Sequence, residues 1–411
     1  MRLRHFTLFF GIVAFASCSV FKHTGKKGPL VETNKEAPPA ELIAKIPFVQ
    51  FTGGVVVVQA KINNNPDTLN FILDSGSGGI SLDSTTCIQL GLKAHPSDEF
   101  IRGIGGIKPL FFAGENTLVL PGLRVDSLDF HISNYDFISS VYGVKIDGII
   151  GYSFLKRYIV QVNYDSMKLF VYTPGHFRYG RGGELLHPFI HNIPVINAPI
   201  WNKKIVHTRY YFDMGAGLCL MLSDQFIKDS CLFCKPNQRR HKFVKSEAQG
   251  LSGKIVMTQT VIQGLKVGKY YFHNVPTYLF DDVSNVTAYP FLGGLIGNDL
   301  LRRFNVTLNY PDDQIYLEPN SHFLDPFDYS YTGMDMYFID GHVVITDVTK
   351  GSPADKAGIK PGDEVLAVNT NFSNNIQKYR ELLKATGSRI HLIILRDGKI
   401  HDIRLLIKSI L

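Results

Sequence analysis

One short segment is written twice in this chain. Phe71-Ile72-Leu73-Asp74-Ser75-Gly76-Ser77-Gly78 returns 139 positions later (71 to 210) as Tyr210-Tyr211-Phe212-Asp213-Met214-Gly215-Ala216-Gly217. Three further segments return in the same order at nearly the same offset. Gly148-Ile149-Ile150-Gly151, with Leu155, Arg157, Asn163 and Tyr164, is matched by Gly294-Leu295-Ile296-Gly297, with Leu301, Arg303, Asn309 and Tyr310. Gly103 and Gly106 are matched by Gly250 and Gly253, and Ile46-Pro47 by Ile193-Pro194. An internal repeat of this length describes two homologous lobes. It sets Asp74 and Asp213 at equivalent places, where facing lobes can bring them together.

The residues between the repeated motifs follow strand rules. From about 47 to 174, short apolar or alternating runs (54–62, 68–73, 117–120, 158–164, 168–172) are broken by glycine and asparagine. Short helices are expected at 84–90 and 152–157. The same pattern runs from 188 to 319, with an insertion around 228–241. Hydrophobic residues make up 45% of the 411, enough for several cores, and charged residues only 19%, which excludes wholesale disorder. The net charge of +7 is dispersed and no basic helix or zinc-finger spacing accompanies it, so nucleic acid is not an expected partner.

The N-terminus is a targeting segment. Arg2 and Arg4 precede an apolar stretch over 6–16, too short to span a bilayer, that ends in Phe15-Ala16-Ser17-Cys18. It resembles a bacterial lipoprotein signal, which implies a signal peptide over 1–17 and a lipid on Cys18. Residues 18–40, polar with Gly-Lys-Lys-Gly and paired prolines, read as a flexible tether. The resemblance implies a cell-envelope protein, anchored to the outer membrane and facing the periplasm or the exterior. Cys87, Cys219, Cys231 and Cys234 remain; four cysteines allow three pairings. Cys231-Leu232-Phe233-Cys234 has no second such pair to complete a zinc site, so a local disulfide or plain thiols are expected.

The last eighty or so residues change character. A strand around 343–348 leads to a turn, a short helix ended by Gly358, a Pro361-Gly362 turn and another strand. A helix over 376–383 and two strands joined at Asp397-Gly398 follow. The run from Gly351 to Asn369 resembles a PDZ domain. That resemblance implies a fold binding extended chain ends on a sheet edge, with Gly333, Met334, Asp335 and Met336 at the carboxylate-binding loop. The chain's own Ser409-Ile410-Leu411 resembles a PDZ ligand but is expected to continue the last strand.

Asp74 closes an apolar run, where a charge is costly unless its carboxylate is hydrogen-bonded or functional. Asp74-Ser75-Gly76 and Asp213-Met214-Gly215, with the later segments Ile149-Ile150-Gly151 and Leu295-Ile296-Gly297, resemble the pepsin and retropepsin clan of aspartic peptidases over about 46–319. The fold class implied is mainly β: two homologous retropepsin-like β-barrel lobes (41–178 and 179–322) followed by a PDZ domain (323–411). The resemblance makes Asp74 and Asp213 the catalytic pair, supported by Ser75, Gly76, Ser77 and Gly215. It makes Gly103, Ile104, Gly105 and Gly106 a substrate-binding flap, with Gly250 and Gly253 in the same place in the second lobe. No metal or cofactor is implied. The partners implied are a protein or peptide substrate, a membrane reached through the lipid, and a chain end bound by the PDZ domain.

One position departs from that family. The residue after each aspartate is ordinarily Thr or Ser, whose hydroxyl crosses to the other lobe; Ser75 has one and Met214 has none. Ser77 is placed to hydrogen-bond Asp74, whereas Ala216 has no side-chain donor. Two functions are therefore expected in contrast. One is an aspartic endopeptidase of the envelope. The other is a catalytically inactive peptide-binding lipoprotein that keeps the groove for recognition.

Overall fold

The computed structural model describes residues 37–103, 106–234, 242–250, 253–327, 329 and 332–411. Cys18 and the signal segment lie outside the described residues, as do Ile104, Gly105 and the basic run at 239–241.

Strand Val56–Ile62 shows how the sequence makes a sheet. Its β-branched start is buried, and Gln59 and Lys61 alternate outward from Ala60 and Ile62. It pairs antiparallel with Leu69–Leu73 and then meets strand Gly106–Leu120 through Lys61↔Val119 and Ile62↔Leu118. That last pairing closes the first lobe into a barrel. In the second lobe, Pro194–Trp201 closes on Gly253–Val267 through Ile200↔Leu265 and Trp201↔Gly264. The expected pair of homologous barrels is present.

In both barrels the strand entering the repeated aspartate lies parallel to the repeated Gly-apolar-apolar-Gly segment. Phe71↔Gly148 and Leu73↔Ile150 pair in the first lobe, Tyr210↔Gly294 and Asp213↔Gly297 in the second. Motifs far apart in sequence thus share one floor. The lobes are joined by antiparallel pairing of Ile159–Asn163 with Phe304–Asn309, the latter buried throughout. A single core cluster runs through both, from Phe71, Leu73 and Phe130 to Phe212, Leu222 and Phe304. Each such side chain contributes about 1.5–3 kcal/mol by leaving water, so the lobes stand or fall together.

The C-terminal sheet has the order Met334–Ile339, His342–Val348, Glu364–Val368, Arg389–Arg396, Lys399–Leu406. It carries its own core of Val343, Ile345, Val365, Tyr379 and Leu392. Asp397 and Gly398 both have left-handed φ (49° and 71°), the requirement of a two-residue hairpin that pairs Arg396 with Lys399. The helix expected over 376–383 spans Ile376–Leu382, capped by the Asn375 side chain on the amides of Gln377 and Lys378.

Two expectations are corrected. The strand expected to start at residue 54 starts at Val56, after a 3-10 turn, Thr52–Gly54, in which Gly53 has a left-handed φ of 76°. The tail Ser409-Ile410-Leu411 does not continue the last strand, which ends at Leu406. Ile410 instead turns back beside Gly333, its Cγ2 only 3.4 Å from where a Cβ on that glycine would sit. Cys231 and Cys234 form a disulfide, and Cys87 and Cys219 are free and buried.

Candidate active site

Asp74 and Asp213 end equivalent strands and face each other across the lobe boundary. They are close enough for each carboxyl to act on the other's titration. The glycines explain how they come so close. A Cβ at Gly76 would lie 2.4 Å from Asp213 Cγ, and one at Gly215 would lie 2.2 Å from Asp74 Cγ. Each glycine therefore leaves the space that the opposite carboxylate fills, and any side chain there would force the pair apart.

Both carboxyls are half-buried at the floor of this junction. The Gly76 amide donates to Asp74 Oδ1 at 2.7 Å, and the amides of Gly215 and Ala216 each donate to Asp213 Oδ1 at 2.9 Å. Burial pushes both acids above the ordinary carboxylate range, Asp74 well above it because the Asp213 charge adds to burial. Two backbone amides, those of Gly215 and Ala216, oppose that rise at Asp213. The proton itself belongs to the pair.

The brace between the lobes is one-sided. Ser75, buried, donates its hydroxyl to Phe212 O at 2.8 Å and accepts from the Met214 amide at 3.0 Å. Met214 is fully buried and returns no such side-chain bond, so of the two residues that follow the aspartates only Ser75 sends a hydroxyl across. Among the described residues the Ser77 hydroxyl forms no bond to Asp74; its carbonyl accepts instead from the Tyr152 amide at 3.0 Å. Ala216, unremarkable as a side chain, contributes through its backbone amide.

The repeated tyrosines were a signal whose meaning needed the fold. Tyr310 directs its hydroxyl at Ser75 O, a long contact of 3.5 Å, and Tyr164 donates to Asn298 Oδ1 at 3.1 Å. Asn298 in turn donates to Gly54 O at 2.6 Å, which ties the Thr52–Gly54 turn of the first lobe to the second. Nothing in the sequence marked that turn.

The two glycine-rich segments are β-hairpins. His95–Gly103 pairs with Gly106–Leu120 up to Gly103↔Gly106, and Val244–Gly250 with Gly253–Val267 up to Gly250↔Gly253. Gly333, with φ 69°, precedes the C-terminal domain's edge strand, Met334–Ile339, so Met334, Asp335 and Met336, expected in a loop, lie within that strand. Gly333, Met334, Asp335 and Met336 line a cavity of about 230 Å³ together with Gly217 and Leu218 of the Asp213 loop. Burial pushes the Asp335 carboxyl up to about 6, opposed by the nearby Arg380 guanidinium.

Comparison with known proteins agrees with these two parts. Residues 58–154 match the family model described as aspartyl protease, and residues 344–396 match a PDZ domain. The chain thus carries an aspartyl protease domain and a C-terminal PDZ domain. It is similar to a probable periplasmic serine endoprotease DegP-like of Chlamydia pneumoniae, 39% identical over 62 residues, 15% of this chain and 13% of that protein. It is also similar to the carboxy-terminal processing protease CtpB of Bacillus subtilis, 32% identical over 99 residues, 22% of this chain and 20% of that protein. A probable periplasmic serine protease do/HhoA-like of Haemophilus influenzae is 34% identical over 67 residues, 16% and 14% of the two lengths. The chain spans a fifth or less of the length of these relatives.

Proposed function

We propose that the protein is an aspartic endopeptidase whose two lobes, 41–178 and 179–322, contribute one carboxylate each to a shared water. The observation that carries this reading is the contact between Asp74 and Asp213, each in the space left by the other lobe's glycine. Two carboxyls this close cannot both ionise, so one holds a proton while the other is charged.

The reaction follows from that division. The Asp213 carboxylate takes a proton from water, whose oxygen attacks the peptide carbonyl carbon, while Asp74 gives its proton to the carbonyl oxygen. Collapse of the tetrahedral adduct breaks the C–N bond, and the proton on Asp213 passes to the leaving nitrogen. The adduct's hydroxyl proton returns to Asp74, so the pair ends with the one proton it began with. No group beyond the two carboxyls and water is required. The paired hairpins at 103–106 and 250–253 are the segments we assign to holding an extended substrate by its backbone.

The serine-protease names of the relatives are not carried over as a catalytic type, because the matched stretches are small parts of those proteins. Their periplasmic placement, with the lipoprotein-like signal ending at Cys18, supports an anchored protein of the cell envelope. The PDZ domain, of a peptide-binding kind, is assigned to a substrate or partner segment received at Gly333–Met336.

The alternative, a groove that binds peptides without cutting them, rests on the missing hydroxyl at Met214. Protein lacking residues 1–18 is expected to cleave unfolded casein at acidic pH, with Asp74→Asn and Asp213→Asn each inactive but folded by circular dichroism. Cleavage by the wild type no greater than that of either Asn variant between about pH 3 and 8 favours the binding protein.

A further inference from the structure

The peptide groove of a PDZ domain lies between its edge strand and its second helix, here Met334–Ile339 and Ile376–Leu382. In this chain the first lobe already holds that groove. Arg380 spans it, donating from Nη2 to Met336 O at 2.6 Å and from Nη1 to Val141 O of helix Asp136–Tyr142 at 2.7 Å. Phe137 of that helix meets Tyr337 of the edge strand, ring centroids 5.0 Å apart. Gly143, which ends the helix, lies so close to Ile376 that a Cβ on it would be 2.5 Å from Ile376 Cγ2.

Gln377 carries the contact inward. Its Oε1 accepts both the amide and the hydroxyl of Thr52, at 2.9 and 2.8 Å, and its Nε2 donates to Tyr142 O at 3.0 Å. A glutamine on a solvated helix face would leave both ends of its amide to water; here both are spent on the first lobe. The turn it grips is the one that touches the Asp213 loop. A Cβ on Gly53 would fall 2.3 Å from Gly217 O, so the two backbones are in direct contact. Gly217 closes the same loop whose Gly215 and Ala216 amides hold the Asp213 carboxylate. A second path ends on the other acid: the tilted rings of Tyr142 and Phe51, centroids 5.2 Å apart, pack on the cluster of Val55, Ile72 and Ile149 that underlies the Asp74 strand.

We infer that the PDZ domain braces the carboxylate pair in cis, with Gln377 the positioning residue that presses Thr52–Gly54 against the Asp213 loop. The inference rests on the reading of that pair as catalytic. It gives the Met214 departure a physical counterpart. The Asp213 loop, which lacks a hydroxyl crossing of its own, is backed from outside by Gly53. A chain end adding to the edge strand must take the place of helix Asp136–Tyr142. Capture of a peptide and bracing of the pair therefore exclude one another: a partner's chain end held in the groove lowers turnover, and a substrate segment received there must leave it before the pair acts.

The test uses the chain lacking residues 1–18, with a quenched fluorescent peptide built on a site that the wild type cuts in casein. Gln377→Ala is expected to lower kcat about tenfold with KM within about twofold, since small misplacements of reacting groups are costly. It is also expected to shift the pH profile and to speed amide hydrogen exchange at Thr52–Gly54 and Gly215–Gly217. Gln377→Glu, which keeps the acceptor for Thr52, restores most of that protection; Lys378→Ala, exposed on the same helix, changes neither readout. Wild-type kcat, pH profile and exchange in Gln377→Ala overturn the brace. Exchange reads the brace without turnover. Should no Asp74-dependent cleavage be found, the catalytic reading falls while exchange still decides for or against the brace.

Discussion

The two lobes are built on one plan and secured differently at the same point. In the first, Ser75 reaches across to Phe212 O and receives the Met214 amide. In the second, Met214 fills the equivalent place with apolar bulk and forms no reciprocal side-chain bond. Yet the Asp213 loop is not left unheld, for its carboxylate accepts the amides of Gly215 and Ala216. A duplicated site keeps the atoms that set charge and can vary those that set rigidity, provided other contacts supply the rigidity. The carboxylates and the facing glycines are the invariant part. The hydroxyl brace is replaceable.

The largest effect should show the halves as equals. Asp74→Asn and Asp213→Asn are each expected to lower kcat by about 10³-fold or more, because either loss leaves the water without a base or the carbonyl without an acid. A variant that keeps a tenth of the activity breaks the equivalence. Next in size is a stability effect of defined sign. Both acids titrate above their unfolded value when folded, so the native state binds extra protons above about pH 4. Stability conferred by those protons is present at low pH and lost as pH rises through the raised values. Either Asn variant should thus melt higher than wild type at pH 7, with the gain vanishing near pH 3; a gain largest in acid refutes the assignment.

The brace is tested by a smaller, sharper comparison. Ser75→Ala removes a buried hydroxyl that makes two bonds and leaves Phe212 O without this donor, a loss of about 1–3 kcal/mol by denaturant titration. Smallest is the coupling between the two sites. Met214→Thr gives up buried volume but returns a hydroxyl to the second lobe. Ser75→Ala should then cost about 0.5–1.5 kcal/mol less in that background than in the wild type. Simple additivity in the cycle would mean the two positions do not share one brace.

How far the residues could be read alone depended on whether a feature was local or repeated. The Asp397-Gly398 hairpin, the Asn375-capped helix and the strand at 168–172 follow from turn chemistry and alternation, which operate over a few residues. The paired aspartates and the Gly-apolar-apolar-Gly segments were legible because duplication singles out positions that neither copy would mark by itself. The Ser77 hydroxyl and the Ala216 amide were harder, since a side chain's partner depends on how a loop turns. The start of the strand expected at 54–62 is not local, because Gly53 answers to Gly217, a neighbour 164 positions away (53 to 217), rather than to its own segment.

Composition, the duplication and the turn residues were enough to specify two β-barrel lobes and a PDZ domain, because hydrophobic alternation and backbone preference act along the chain. Folding alone decided that the two acids face each other across the lobe boundary, that Ser75 bonds both Phe212 O and the Met214 amide, and that Gln377 of the last domain grips Thr52 of the first. Those outcomes depend on distances of about 3 Å between residues far apart in sequence, where desolvation and hydrogen-bond geometry exist only once the lobes have closed on each other.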